Sequence, residues 1–321
     1  MHIPDGFIDA KTAIATAALS AAGLGTALRQ ARRRMPRKNV PLMGLAAAFI
    51  FAAQMLNFPV GAGTSGHLIG AVLAAVLLGP TAAVIVMTAV LSVQCLLFAD
   101  GGVSALGANI FNMAIIGSIG GYAVYAAVHR IFGGGRGRLM AAAFASWCSA
   151  VLASICCAGE LAWSGTVPWG TGFPAMAGMH MIIGLGEALI TAMVIAAVDR
   201  AGFPNREDDR SAPVGNPGEI LVFGSLIALG LALFVSPFAC PWPDGLEKVA
   251  AMLGFEKKAA VQPVLAAPLA AYRIPGAASA SAATALAGAV GTVAAFLLSL
   301  SLARALSPAP APVEGRPLAR E

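Results

Sequence analysis

The sequence predicts an all-α integral membrane protein, a polytopic bundle of about nine hydrophobic helices. Three observations carry that prediction. Of 321 residues, 58% are hydrophobic and only 11% are charged, where a soluble domain carries about 25% charged residues. The apolar residues gather into long runs parted by Gly and Pro breakers. The basic residues cluster on alternate connections, as cytoplasmic loops require.

The runs lie at 10–28, 41–58, 67–79, 81–98, 105–128, 139–159, 174–198, 219–236 and 284–303. Most have the length of about 18–25 residues that crosses a hydrocarbon core. The run 67–79 is too short to span unless it is tilted, packed inside the bundle or re-entrant. Because lipid offers the backbone no hydrogen bonds, repeated runs of this kind mean helices. Small residues such as Ala17, Ala18, Ala21, Ala22, Gly23 and Gly25 let such helices approach closely.

Arg29, Arg32, Arg33, Arg34, Arg37 and Lys38 follow the first run directly, which puts that connection inside and the N-terminus outside. With strict alternation, 15 of the 20 basic residues fall inside and the C-terminus is cytoplasmic. Topology thus accounts for the basic pI, and no nucleic-acid partner is implied; the surrounding partner is membrane lipid. Residues 1–200 form a seven-helix core, 201–218 a charged cytoplasmic linker, and 219–306 a two-helix accessory module with an outer loop at 237–283. Residues 307–321, rich in Pro and Ala, read as a disordered tail.

The first ten residues hold two Asp and one His and no basic stretch, so no cleaved leader is expected and Met1 is expected to carry a free amine. That matters because the second residue is His2. The Met1 amine, the His2 amide nitrogen and the His2 imidazole can close adjacent five- and six-membered rings on one ion. Tetragonal nitrogen sites suit Cu(II) or Ni(II), and three planar positions would be filled. For the fourth, His67 closes the Gly-rich outer stretch Gly61 to Gly66 and is the better candidate; His180, one turn into its helix near the outer end, is the reserve. His129 falls on the cytoplasmic side and is set aside by topology. The cysteines Cys95, Cys148, Cys156, Cys157 and Cys240 show no metal-binding spacing and read as small apolar filler.

Six separated blocks carry a resemblance. They are His2-Ile3-Pro4-Asp5-Gly6, Ala53-Gln54-Met55-Leu56-Asn57-Phe58-Pro59-Val60, Gly63-Thr64-Ser65-Gly66-His67-Leu68, Phe98-Ala99-Asp100-Gly101-Gly102, Leu106-Gly107-Ala108-Asn109-Ile110-Phe111-Asn112-Met113 and Ile183-Gly184-Leu185-Gly186-Glu187-Ala188-Leu189-Ile190. Residues 1–200 resemble the substrate-capture membrane component of cobalt and nickel energy-coupling-factor transporters, the CbiM/NikM family. The resemblance implies that Met1, His2 and His67 hold the ion. It implies uptake of nickel or cobalt into a bacterium across the cytoplasmic (inner) membrane, as substrate, with no organic cofactor. Its implied partners are a transmembrane coupling subunit and two ATP-binding subunits. The stretch Pro243-Asp244-Gly245-Leu246-Glu247 resembles the small accessory protein of such systems; by its residues alone it is a turn leading into a short amphipathic outer helix.

Other polar residues are candidates for support. Gln54 and Asn57 flank the His67 stretch and could orient its imidazole; Ser65 and Asn109 are further second-rank candidates. Glu187, a carboxylate in mid-helix, reads as paired within the bundle to Asn109, Asn112 or Gln94, or else as a proton relay. Asp100 and Glu160 at outer helix ends would attract cations by Coulomb steering. The chain has no Gly-x-x-x-x-Gly-Lys-Ser/Thr phosphate loop, so it is expected to be no enzyme, ATP hydrolysis residing in partners. Nickel is favoured over cobalt by planar nitrogen ligation. The rival reading is a stand-alone proton-coupled metal carrier or channel. A metalloenzyme is disfavoured, since four nitrogens leave no open equatorial position for a substrate.

Overall fold

The computed structural model describes residues 1–61, 63–201, 217–260, 264–277 and 279–307. Each of the nine apolar runs holds a helix, and the protein is an all-α membrane bundle. The helices are α1 (Ala10–Arg34), α2 (Asn39–Gln54), α3 (Ala71–Leu78), α4 (Pro80–Phe98), α5 (Leu106–Phe132), α6 (Gly134–Trp163), α7 (Trp169–Arg200), α8 (Gly218–Phe238), α9 (Gly245–Leu253) and α10 (Ala280–Leu306). Six of these, α4 to α8 and α10, are long and apolar enough to cross a membrane, and α2 is a shorter apolar helix of 16 residues. Exposed Leu185, Leu189, Phe223, Leu226 and Phe234 give α7 and α8 apolar outer faces suited to lipid.

The bundle is held by close approach of small residues. On α2, Gly44 lies against Phe296, and Ser299 of α10 donates to the Met43 carbonyl oxygen at 3.0 Å. The accessory helix α10 is therefore seated directly on the core. Gly121 of α5 leaves room for Val72 and Ser149, and Gly184 of α7 for Trp147. Lipid gives no hydrophobic drive between helices, so this tight fit is what joins them.

The short run 67–79 resolves as packing inside the bundle. Helix α3 has eight residues, of which all but Leu77 are buried. Gly79 (φ +88°) ends it, and Pro80 starts α4 at once, since Pro is well accommodated in a first helical turn. The Gly-rich stretch before His67 folds as a two-stranded hairpin, β1 (Phe58–Gly61) and β2 (Thr64–Gly66), irregular between Pro59 and Gly61. The expected outer loop 237–283 carries a helix, α9, and ends by residue 279 because α10 begins early. The linker 201–218 and the tail 307–321 fall almost wholly outside the described residues.

Candidate metal centre

Residues 1–9 form no regular element, yet Met1, Ile3, Phe7 and Ile8 are buried. Backbone groups in a buried irregular segment need partners, and helix ends and loops supply them. Asn109 grips Ile3 from both sides, Oδ1 accepting from the Ile3 N–H at 2.8 Å and Nδ2 donating to the Ile3 carbonyl oxygen at 3.1 Å. The Gly102 N–H donates to the same carbonyl oxygen at 2.9 Å. Asp5 Oδ1 accepts from the N–H and hydroxyl of Ser104, and the Asp5 carbonyl oxygen accepts from Ala260 N–H. Burial works against ionisation of Asp5, but these donors outweigh it and hold its carboxyl below the ordinary value. Gly101 (φ +87°) is demanded here: a Cβ would lie 2.8 Å from Asn109 Nδ2 and 3.5 Å from His2 Cβ.

This plug delivers the Met1 amine to two side chains. Its nitrogen lies 2.6 Å from His67 Nε2 and 2.7 Å from Asp244 Oδ2. His67 Nδ1 faces the Leu68 carbonyl oxygen at 3.1 Å, so that nitrogen carries the proton and Nε2 presents a lone pair to Met1. Glu187 fixes the backbone just beyond, its two oxygens accepting from Ile69 N–H at 2.6 Å and Gly70 N–H at 2.9 Å. The remaining cavity, lined also by His180, is ≈ 10 Å³, about the space of a single water or ion.

The ring of His2 stacks on that of His67, centroids 5.3 Å apart. Its Nε2 faces Gln94 Oε1 at 3.2 Å, and its Nδ1 faces Asp100 Oδ1 at 3.2 Å. A relay fixes which nitrogen holds the proton. The Ile69 carbonyl oxygen can only accept, so Gln54 donates to it at 2.7 Å. Gln54 Oε1 then accepts from Gln94 Nε2 at 2.7 Å, which leaves Gln94 Oε1 to accept from His2. His2 therefore carries Nε2–H, and its Nδ1 lone pair is the one needed for a chelate with the amide and amine. Burial, only partly opposed by Asp100, lowers the His2 pKa to about 4, so the ring is neutral near pH 7.

Several expectations need correction. Gln54 reaches His2 through Gln94, and its own amide donates to the Ile69 carbonyl oxygen and accepts from Gln94 instead of orienting the His67 ring. Asn57 contributes its carbonyl oxygen to Cys240 N–H at 2.8 Å, a tie to the accessory module. Ser65 does the same, its N–H donating to the Pro243 carbonyl oxygen at 2.9 Å and its hydroxyl to that of Trp242 at 2.6 Å. Glu187 pairs with backbone N–H groups, because a helix end such as that opening α3 leaves donors that a buried carboxylate satisfies better than an amide side chain. Glu160 is no surface attractor: it is buried and accepts from Asn112 Nδ2 at 2.7 Å. His180 lines the cavity, its Nδ1 directed to the Met176 carbonyl oxygen at 2.9 Å. His129 stacks on Tyr125 at the far end of α5, and the five cysteines are free thiols.

Asp244 is the residue that sequence reasoning missed. It caps α9: Oδ1 accepts from Glu247 N–H at 2.9 Å while Glu247 Oε2 accepts from the Asp244 N–H at 3.0 Å. This reciprocal cap is a common helix start and leaves Oδ2 free for Met1. Burial disfavours the Asp244 carboxylate, yet the Met1 ammonium beside it outweighs that and holds its pKa well below the ordinary value. Among the described residues, no group of three or more His, Cys, Asp or Glu side chains is placed to hold an ion alone. Any ion held here must also use main-chain nitrogen.

Comparison with known proteins gives these arrangements a context. Residues 2–203 match the CbiM family, described as the cobalt uptake substrate-specific transmembrane region, and residues 218–308 match the PDGLE domain. The chain is 39% identical over 295 residues to a candidate fused nickel transport protein NikMN of Archaeoglobus fulgidus, covering 91% of this chain and 95% of that one. It is 34% identical to the fused nickel transport protein NikMN of Rhodobacter capsulatus, over 71% of this chain and 70% of that protein. A crystal structure of a transition metal transporter superposes with a TM-score of 0.58 at 32% identity, covering 65% of this chain and 99% of the other.

Proposed function

The chain belongs to the CbiM family, and from that premise we propose that it is the ion-capture membrane component of an energy-coupling-factor uptake system for nickel, with cobalt as second choice. The observation that carries this reading is the Met1 amine held 2.6 Å from His67 Nε2 at the mouth of an ion-sized cavity. Two nitrogens bound side by side to one ion at about 2.0–2.1 Å lie roughly 2.9 Å apart, so little movement is needed. The His2 ring completes the set by turning its Nδ1 lone pair away from the Asp100 carboxylate toward Met1, with Nε2–H still on Gln94, the kind of outer partner that orients a ligating imidazole. The names of the fused relatives support nickel, as does planar nitrogen ligation.

In this reading the plug faces the outside of the bacterial cytoplasmic membrane, and the basic ends of α1, α5 and α10 face the cytoplasm. A coupling subunit and two ATP-binding subunits supply the energy. The test is metal analysis on purified full chain carrying a free Met1 amine, beside a variant with one Gly added ahead of Met1. The extension moves the amine by about one residue, roughly 3.8 Å, and should abolish stoichiometric nickel. An extended chain that still retains one nickel per molecule after desalting would end the reading.

A further inference from the structure

The sequence Pro243-Asp244-Gly245-Leu246-Glu247 acquires a role for each residue. The Pro243 carbonyl oxygen accepts from Ser65 N–H, two residues from His67. A Cβ on Gly245 would lie 2.6 Å from Ile183 Cδ1 and 2.8 Å from His180 Cε1, so the turn is pressed onto α7. Leu246 is buried, and Glu247 closes the cap on α9. These contacts hold the turn rigidly over the cavity and leave one atom uncommitted to the turn itself, Asp244 Oδ2, aimed at the Met1 nitrogen.

We propose that Asp244, on the accessory module, is a direct ligand of the captured ion, supplying an apical carboxylate oxygen above the nitrogen plane. The inference rests on the capture reading given above. Geometry supports it. The separations among Met1 N, His67 Nε2 and Asp244 Oδ2 are 2.6, 2.7 and 3.8 Å. Donors about 2.0–2.2 Å from one ion lie between roughly 2.8 Å apart when adjacent and 4.2 Å when opposite, so all three fit one coordination sphere with small adjustments. Met1 and His67 are neighbours in a plane that four nitrogens fill, so Asp244 Oδ2, already adjacent to Met1, is left the apical place, which it reaches by closing its 3.8 Å separation from His67 Nε2 toward the adjacent spacing.

Charge supports it as well. A divalent ion bound by a neutral amine, two neutral imidazoles and one deprotonated amide keeps a single positive charge. The Met1 and His67 side chains are only 2% and 7% exposed, and an uncompensated charge in such surroundings is strongly disfavoured. One carboxylate makes the complex neutral. Asp100 is less suited to neutralise the ion, being the more exposed of the two carboxylates and already accepting from the Tyr272 hydroxyl.

The test loads the full chain, with a free Met1 amine, with nickel chloride and compares it with Asp244→Asn, which keeps a side-chain oxygen for capping α9. The nickel K-edge absorption of a planar four-nitrogen site shows a 1s→4p shoulder that an apical donor suppresses. The wild type should lack the shoulder, and Asp244→Asn should gain it while losing about 10- to 100-fold in nickel affinity, the range known for perturbed metal surroundings. An identical edge in the two proteins overturns the proposal, whatever happens to affinity, since the carboxylate would then act only through charge or through the turn. His67→Ala separates the two readings: if that variant binds nickel as tightly as wild type, the capture site itself is misassigned.

Discussion

Replacing Glu187 by Gln separates a positioning role from the proton relay that a mid-helix carboxylate suggests. Glu187 accepts two backbone N–H bonds, from Ile69 and Gly70, directly after His67 and Leu68. Gln offers one oxygen and one NH₂ group, so one bond survives and one N–H then faces another donor. Losing a hydrogen bond to a charged group removes about 1.5–3 kcal/mol, and a buried unsatisfied donor costs about 1–3 kcal/mol. The two overlap in what they count, and the expected destabilisation is about 2–4 kcal/mol. The Gly70 backbone cannot shift freely to compensate, since it sits at φ +78° with Ile50 side-chain atoms about where a Cβ would touch. The strain therefore passes to His67, and nickel affinity should drop about 10- to 100-fold. Thermal unfolding in detergent, with and without nickel chloride, reads the first quantity, and equilibrium dialysis of nickel reads the second. If Glu187→Gln binds nickel at wild-type strength and unfolds at the wild-type temperature, yet nickel uptake by cells that depend on this chain stops, the positioning argument is wrong and a relay is right.

Two further outcomes follow from the plug. Asn109→Ala removes both of its bonds to the Ile3 backbone; it should cost about 1–3 kcal/mol and weaken nickel binding about tenfold, checked by the same dialysis. The pH dependence has a defined sign: with its folded pKa at about 4 against an ordinary 6.5, His2 takes up its proton more readily in the unfolded chain. Folding stability therefore falls as pH drops from 6.5 toward 4, seen in denaturation at successive pH values. Near pH 7 the ring has no proton to lose, so loading should release no more protons per ion than main-chain nitrogen can give, one each from the amine and the amide. Calorimetry in buffers of different ionisation heat counts them, and three protons would contradict a neutral His2.

The helices were legible because their signal is composition and length, properties that lipid enforces on every crossing. The run 67–79 could be read as too short, but its fate inside the bundle depended on α5, α6 and α7 surrounding it. Met1, His2 and His67 stood out because histidines are scarce and three of the four are read at the outer end. The hydrogen-bond partners did not stand out. Gln94, in the middle of α4, became His2's partner only through a relay ending at the Ile69 carbonyl oxygen. Asp244 reads locally as a helix cap, which it is; its second oxygen gains meaning only when a loop about 180 residues further along than Ser65 folds back over His67.

The stitched cover over Met1 has a kinetic consequence. Trp242 and Pro243 bond to Ser65, two residues from His67, Ala260 bonds to Asp5 of the buried N-terminal segment, and the Met1 side chain is only 2% exposed. In the capture reading, an incoming hydrated cation reaches Met1 only after this cover has moved. Arrival is then timed by the protein's own opening, and association should run slower than encounter and change little with ionic strength. If the proposed capture holds, the same cover sets the pace of release as well as of arrival.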